Sequence, residues 1–411
     1  MTKTAILKQT SATVLAFGLT VPLSAATISY VDLHPAGASA SEAYAADGTQ
    51  QSGYAIIGDY HAALWSGTAA SFIDLNPTGA SRSMVNGSGG SQQAGSATIG
   101  GSDHAALWTG SAGSFVDLHP LTAAWSVAYA VAGNQQAGRA QLGNQAYAAL
   151  WSGTATSFVN LNPSGSLFSE AMAIGGTQQA GEVWIGGHCA ALWSGTASSF
   201  RNLNPAGCGA STIYAIAGEQ QVGYVLKGNY HAALWAGTAA SVVDLNPEGA
   251  SSSTAYAAFG TQQAGVASIS GKLGAALWSG TAASFVDLKA CLGSTYRDSG
   301  AYGMWAEGGT TYAAGSATEV ASGKLHAILW IIQPPPATLP ALMVVEAKCH
   351  EAEMVMSLAW TNSGLSCELQ ASIVLTQGWT CVNAACFTNG NLICTTVTNT
   401  AAAQFFRLRG L

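Results

Sequence analysis

A five-residue motif recurs seven times along this chain, and no other feature narrows the possible folds as far. His61-Ala-Ala-Leu-Trp65 returns at His104 to Trp108, Tyr147 to Trp151, Cys189 to Trp193, His231 to Trp235, Gly274 to Trp278 and His326 to Trp330. Successive tryptophans stand 43, 43, 42, 42, 43 and 52 residues apart, the length of one propeller blade of four short strands. Turn residues divide each unit into four runs. The first centres on a tyrosine (Tyr44, Tyr129, Tyr214, Tyr256, Tyr302), and the second opens with Gln-Gln, as at Gln50-Gln51, Gln135-Gln136 and Gln262-Gln263. The third is the motif itself, and the fourth is Ser71-Phe-Ile-Asp-Leu75 and its relatives. Asn76-Pro77, Asn162-Pro163, Asn204-Pro205 and Asn246-Pro247 follow the fourth run. Proline cannot continue a ladder, so the chain must leave the sheet there.

Period-two alternation puts His61, Ala63 and Trp65 on one face of the third strand and Ala62 and Leu64 on the other. Neither face is polar throughout, which suits a sheet sandwiched between neighbouring blades. The phase of the repeats adds a topological inference. The first repeat is preceded by a lone fourth-type strand, Ser29 to Leu33, while the last unit runs from Trp330 into Ile331-Ile332-Gln333-Pro334 without one. The orphan strand is expected to complete the seventh blade and close the ring, removing the exposed edges of an open array. The fold class read from the sequence is therefore all-β: a seven-bladed β-propeller closed by the N-terminal strand, plus a small C-terminal β module.

Composition fits that reading. Only 13 Lys and Arg and 20 Asp and Glu occur in 411 residues, 8% in all, against about 25% in ordinary globular chains. What the packed sheets leave outside is Ser, Thr, Gly, Gln and Asn. A formal net charge of −7 argues against nucleic acid, whose phosphates demand a Lys/Arg surface.

Four segments are expected: a signal peptide over 1–26, the propeller over 27–333, a proline-rich linker over 334–345 and an all-β module over 346–411. Lys3 and Lys8 precede an apolar run from about Ser11 to Leu23, followed by small residues at Ser24 and Ala26, the order of an export signal with its cleavage site. No later stretch has 18 unbroken apolar residues, so no transmembrane helix is expected. Export would place the eight cysteines in a compartment that permits disulfides. A three-residue turn over Asn389 to Asn391 would set Cys386 opposite Cys394, the pair favoured for a bridge; a two-residue turn would spoil that register.

The repeats resemble the HAF-type repeats of extracellular bacterial proteins, through the frame His-Ala-x-Leu-Trp and the following Asp-Leu over Ser29 to Trp330. Alanine stands where that family carries Phe in six copies, and Ile328 in the seventh. The resemblance implies an extracellular location and a propeller-like repeat fold, and brings no catalytic residues. The region from Met356 to Leu411 is similar to a short module that ends secreted bacterial proteins, through Leu358-Ala-Trp360, Cys367-Glu-Leu-Gln370, Trp379 and Gln404-Phe-Phe-Arg-Leu-Arg409.

Chemistry is harder to find. His61, His104, His231 and His326 share one register but give way to Tyr147, Cys189 and Gly274, which points to a structural hydrogen bond. Asp74, Asp117, Asp244 and Asp287 alternate with Asn160 and Asn202, so the carboxylates read as acceptors for a turn or a His N–H. Equal spacing on every blade marks the Trp and Tyr series as core. The irregular aromatics Trp125, Trp184 and Trp305 are better candidates for ligand contact. The stretch from Cys291 to Leu325, where the spacing widens to 52, brings Arg297, Asp298 and Glu307 close together in sequence; irregular loops on a regular scaffold are where sites are usually grafted. His34 and His119, which replace Asn before Pro, are weaker candidates. No catalytic set, cofactor site or metal site emerges: there is no Gly-x-Ser-x-Gly elbow, phosphate loop, His-Glu-x-x-His or calcium loop. The expectation is a secreted, non-catalytic, monomeric binding or surface component with a glycan or extracellular protein as partner. The alternative is a secreted polysaccharide hydrolase or lyase with its site on the irregular seventh blade.

Overall fold

The computed structural model describes residues 26–334 and, beyond them, the strands within 343–410. The signal-peptide segment, the prolines of the expected linker after Pro334, and Trp379 lie outside the described residues. Thr27–Gln333 forms one compact unit of seven four-stranded antiparallel sheets. Blade 1 contains Ser41–Asp47, Gln50–Ile57, Asp59–Trp65 and Ile73–Asp74, in that order from the axis outward. The innermost strands of adjacent blades pack side by side all the way round, including blade 7 against blade 1.

Closure occurs as the phase of the repeats requires. Thr27–Asp32 pairs antiparallel with Leu325–Gln333, from Thr27 opposite Gln333 to Asp32 opposite Ile328. This outer strand has six residues, whereas those of blades 1 to 6 have two. Only the outer strand of blade 7 precedes the rest of its sheet in sequence. The joint there rests on strand pairing and packing between distant parts of the chain, and the longer ladder supplies the extra hydrogen bonds.

The core lies between the blades. Ala63 and Trp65 pack towards blade 7, against Trp305, Ala314 and Leu329, while Ala62 and Leu64 pack towards blade 2, against Val85 and Trp108. All seven repeat tryptophans are fully buried. Each ring is worth about 4–6 kcal/mol in transfer free energy as an upper figure. In five blades a phenylalanine from the turn leans on the indole, as Phe72 does on Trp65 at 6.0 Å.

The remaining repeated polar residues are braces. In six blades the second glutamine is buried and accepts a backbone N–H from the turn after the tryptophan, as Gln51 does from Gly67 at 2.8 Å. His61, His104 and His231 hold the aspartate that follows them at 2.7 to 2.9 Å. His326 does the same across the seam with Asp32, at 2.8 Å. The other oxygen of each aspartate accepts the N–H two residues on, as Asp74 does from Asn76. Structural roles for these histidines and aspartates are what the sequence led us to expect.

Beyond the propeller, one sheet contains Met343–His350, Glu353–Thr361, Leu392–Asn399 and Cys386–Asn389. A second contains Thr380–Cys381, Cys367–Ser372 and Phe405–Gly410. The first of these strands starts inside the segment expected to be linker. The strands pair with Asn389 opposite Leu392, which sets Cys394 opposite Phe387 and Cys386 opposite Thr395. That register corrects the expected Cys386–Cys394 pairing. In the propeller, Cys189, Cys208 and Cys291 form no disulfide.

Candidate functional site

Every inner strand carries one irregularity at the same place. The register skips a residue between Ala43 and Ala45, and equivalently in all seven blades. The cause is in the second strand, where each blade has a glycine two residues after the second glutamine, or after Ala313 in blade 7. A Cβ on Gly53 would sit 1.9 Å from the carbonyl oxygen of Glu42, so only glycine permits the bulge. A bulge re-aims the extra side chain. Here it turns Tyr44, Asn86, Tyr129, Met172, Tyr214, Tyr256 and Tyr302, one per blade, into an axial cavity of about 570 Å³. The sequence reading of these tyrosines as core is corrected: the tryptophans are core, the tyrosines line the axis.

Four of the rings meet in an arc. Tyr44 and Tyr302 are 5.9 Å apart, Tyr302 and Tyr256 5.3 Å, and Tyr256 and Tyr214 4.9 Å. Burial above all raises the phenols of Tyr44 and Tyr54, with Glu42 adding to it, and burial likewise raises Tyr129, Tyr214, Tyr256 and Tyr302. The tyrosines of the wall are therefore uncharged, with ring faces and O–H groups presented to the cavity.

Two acids join this wall. Glu170 is paired with Arg139. Glu42, only 9% exposed, accepts from Tyr54 at 3.2 Å and from Ser316 at 2.7 Å, and lies within reach of Tyr44. Among the described residues no Lys, Arg or His pairs with it. A buried carboxylate held by hydroxyls alone, facing a cavity of aromatic rings, is arranged to receive a cation.

Of the irregular residues nominated in the sequence, Trp125 lines a cavity. The Arg139 guanidinium lies 5.0 Å from its ring centroid, and with Arg82 and Asp103 it borders a second cavity of about 290 Å³. Trp184 is exposed beside His188. Trp305 is core, stacked on Tyr312 at 4.3 Å. Arg297 and Asp298 face each other at 3.6 Å, both more than half exposed. Glu307 is at the far end of the same strand, Tyr296–Glu307, about 30 Å away at the usual strand rise. The nominated cluster is thus not assembled, because an extended strand separates residues that are close in sequence.

His34 and His119 are locked. Nε2 of His34 donates to the Ala38 carbonyl at 3.1 Å, leaving Nδ1 to accept from Ser41 at 2.8 Å. Asn76 makes the same two bonds in blade 1, to Ala80 and Ser83, which explains why His replaces Asn before Pro. Burial first, then a stacked neighbouring histidine, lowers both imidazoles. Ser41 and Ser126 touch these rings, but they are fully buried and accept backbone N–H bonds, so neither is a nucleophile. Among the described residues no group of three His, Cys, Asp or Glu is placed to hold a metal ion, and no helix is long and apolar enough to cross a membrane.

No family profile matches the chain, and no curated protein matches it. Among solved structures it is similar to a puromycin hydrolase, with a TM-score of 0.48 and 11% identity over 80% of this chain and 60% of that one. A puromycin-hydrolyzing peptidase of Mycobacterium tuberculosis gives 0.47 and 14%, over 83% and 60%. An acylaminoacyl peptidase of Pyrococcus horikoshii gives 0.40 and 10%, over 78% and 58%. The chain spans at most 60% of the length of these three proteins, and the likeness is one of fold. The sequence led to the expectation of a non-catalytic binding or surface component, whereas the proteins named here are hydrolases and peptidases. The alternative, a polysaccharide hydrolase or lyase on blade 7, falls with the separation of Asp298 from Glu307.

Proposed function

We propose that the protein serves the hydrolysis of peptides or aminoacyl amines, with the axial cavity as the site that recognises the substrate's free ammonium group. One observation carries the reading: Glu42 is buried in the cavity wall with hydroxyl partners and no cation among the described residues. An ammonium placed there gains a charge-assisted hydrogen bond and the faces of Tyr44 and Tyr302, a cation–π contribution of about 0.5–2 kcal/mol. The remaining rings and Met172 supply an apolar wall for the adjoining side chain. Amino-terminal residues with aromatic or aliphatic side chains combine these properties. A location outside the cytoplasm is supported by the Lys3–Ala26 segment, whose order of charge, apolar run and small residues is that of an export signal, and by the resemblance to HAF-type repeats.

The test is a panel of aminoacyl amides and short peptides, each with a free and an N-acetylated amine, incubated with the full chain and followed by product analysis. Cleavage of the free-amine members, at least tenfold faster than their acetylated partners and lost in Glu42→Gln, supports the proposal. Indifference to acetylation, or an undiminished rate in Glu42→Gln, removes the axial cavity from that role. No turnover of any member overturns the hydrolytic reading.

A further inference from the structure

Blades 2 and 3 break the repeat where they meet. In all seven blades the inner strand carries a buried serine, such as Ser83 in blade 2 and Ser126 in blade 3, whose hydroxyl accepts a backbone N–H from the preceding blade. The residue just before that serine is Ala in blades 1 and 5, but Arg82 in blade 2 and Trp125 in blade 3. Opposite Val127 the second strand of blade 3 carries Arg139, where Ser96, Glu182 and Val266 stand in blades 2, 4 and 6. No other blade has an arginine at either place. Arg82, Trp125 and Arg139 border the cavity of about 290 Å³, with Asp103 and Val127 beside them. Two of the chain's six arginines thus meet at one cavity, and departures from a regular scaffold are where sites are grafted.

Each guanidinium has an acid behind it. Arg139 pairs with Glu170, and Arg82 faces both oxygens of Asp103 at 3.4 Å. In both pairs the arginine is the more exposed member, 30% against 7% and 51% against 36%, so the positive ends stand nearer the solvent and the negative ends are backed into the protein. Donors are left over. Arg139 gives Nη1 to Glu170, and its Nε finds no acceptor. Arg82 gives Nε to Thr98 at 2.9 Å. Its contact with Asp103 is long against about 2.7–2.9 Å for a charge-assisted bond, and Asp103 is also held by the Thr98 hydroxyl. The fork of an arginine matches the two oxygens of a carboxylate. Because the two pairs cancel in net charge, the attraction comes from the direction of the donors, which suits one delocalised negative charge better than a phosphate dianion.

We propose that the cavity between blades 2 and 3 is a binding site for a small monocarboxylate with a flat apolar body. Arg82 and Arg139 hold the carboxylate, and the body lies against Trp125 and Val127. The inference goes beyond the amine reading and does not rest on it: Glu42 does not line this cavity, and the ligand needs no ammonium group.

The experiment is a fluorine NMR titration of the full chain at low ionic strength with 4-fluorobenzoate and with 4-fluorobenzamide, which has nearly the same shape and no charge. Saturable binding of the acid is expected, at least tenfold tighter than that of the amide. The affinity for the acid should fall at least fivefold in Arg82→Gln, whose side chain is half exposed, and in Arg139→Lys, which keeps a charge for Glu170 and loses the fork. Trp125→Leu should weaken acid and amide alike, by about threefold. Arg297→Gln removes an exposed arginine that also stands beside an aspartate and should change nothing. Four results overturn the proposal: no saturable binding of the acid, equal affinity for acid and amide, an affinity unchanged in both Arg82→Gln and Arg139→Lys with unaltered circular dichroism, or a loss in Arg297→Gln as large as in Arg82→Gln.

Discussion

Two rings of aromatic residues run round this propeller, one of tryptophans between the blades and one of tyrosines at the axis. In the sequence they look alike, each recurring at the period of the repeat, the tryptophan in all seven units and the tyrosine in five. In the structure the tryptophans are 0% exposed, while the tyrosines sit on bulges and face a cavity. The difference lies in the backbone. Trp65 stands in regular register opposite Gln51, so its direction follows the pleat and the blade interface buries it. Tyr44 is the unpaired residue of a bulge forced by Gly53, so its direction follows the irregularity. Even spacing reports that a residue belongs to the repeat, not whether it is core or lining.

Deleting a member of each ring separates the two roles most sharply. Trp151→Ala removes a fully buried indole and is expected to cost about 3–5 kcal/mol, read as a lower denaturant midpoint with an unchanged slope. Tyr214→Ala in the axial ring should cost about 1 kcal/mol or less, because much of its ring already faces the cavity. Equal losses would erase the distinction. Next in size is Glu42→Gln, which keeps the shape of the wall. At least a tenfold loss of amine affinity, about 1.4 kcal/mol, is expected by calorimetry, with the denaturant midpoint barely moved.

A smaller effect tests the braces. His34 and His119 have lowered folded-state pKa values, so the unfolded chain binds their protons first as pH falls. Their contribution to stability is full above the ordinary histidine value of 6.5 and is lost below it. Asn makes the same hydrogen bonds in blade 1, so His34→Asn should leave stability at pH 8 within about 0.5 kcal/mol and flatten its decline between pH 6.5 and 5. A decline as steep as in the parent chain would show that His34 does not titrate as described. The smallest effect belongs to the exposed residues of blade 7. Asp298→Asn and Glu307→Gln should each change stability by less than about 0.5 kcal/mol, and neither should alter turnover or binding in the amine panel.

The architecture was legible because its determinants are local and repeated. Seven tryptophans at a blade's spacing, prolines after Asp-Leu and the orphan strand before the first repeat lead to the ring and its closure. His61 and Asp74 were legible as partners because Asn and Tyr substitute for them elsewhere. The axial site was not, since it depends on a register shift that no hydrophobic period records. Signals for it were nonetheless present. Asn86 and Met172 occupy the tyrosine position in blades 2 and 4, a mixture that a tightly packed core position does not admit. Glu42 and Glu170 precede that position by two residues in a chain with few acids, and the glycine at the place of Gly53 recurs two residues after the second glutamine in six repeats. Arg297, Asp298 and Glu307 misled for the opposite reason: they are near in sequence, and a twelve-residue strand keeps them apart.

The central claim, that the axial ring is a site for an ammonium group held by Glu42, is tested most directly by titration calorimetry with phenylalanine amide and its N-acetyl derivative. The two differ in the charge that Glu42 would bind. Saturable binding of the free amine at least tenfold tighter than that of the acetylated compound, with the preference abolished in Glu42→Gln, is the predicted result. Equal affinity for the two, or a preference that survives Glu42→Gln, would contradict it.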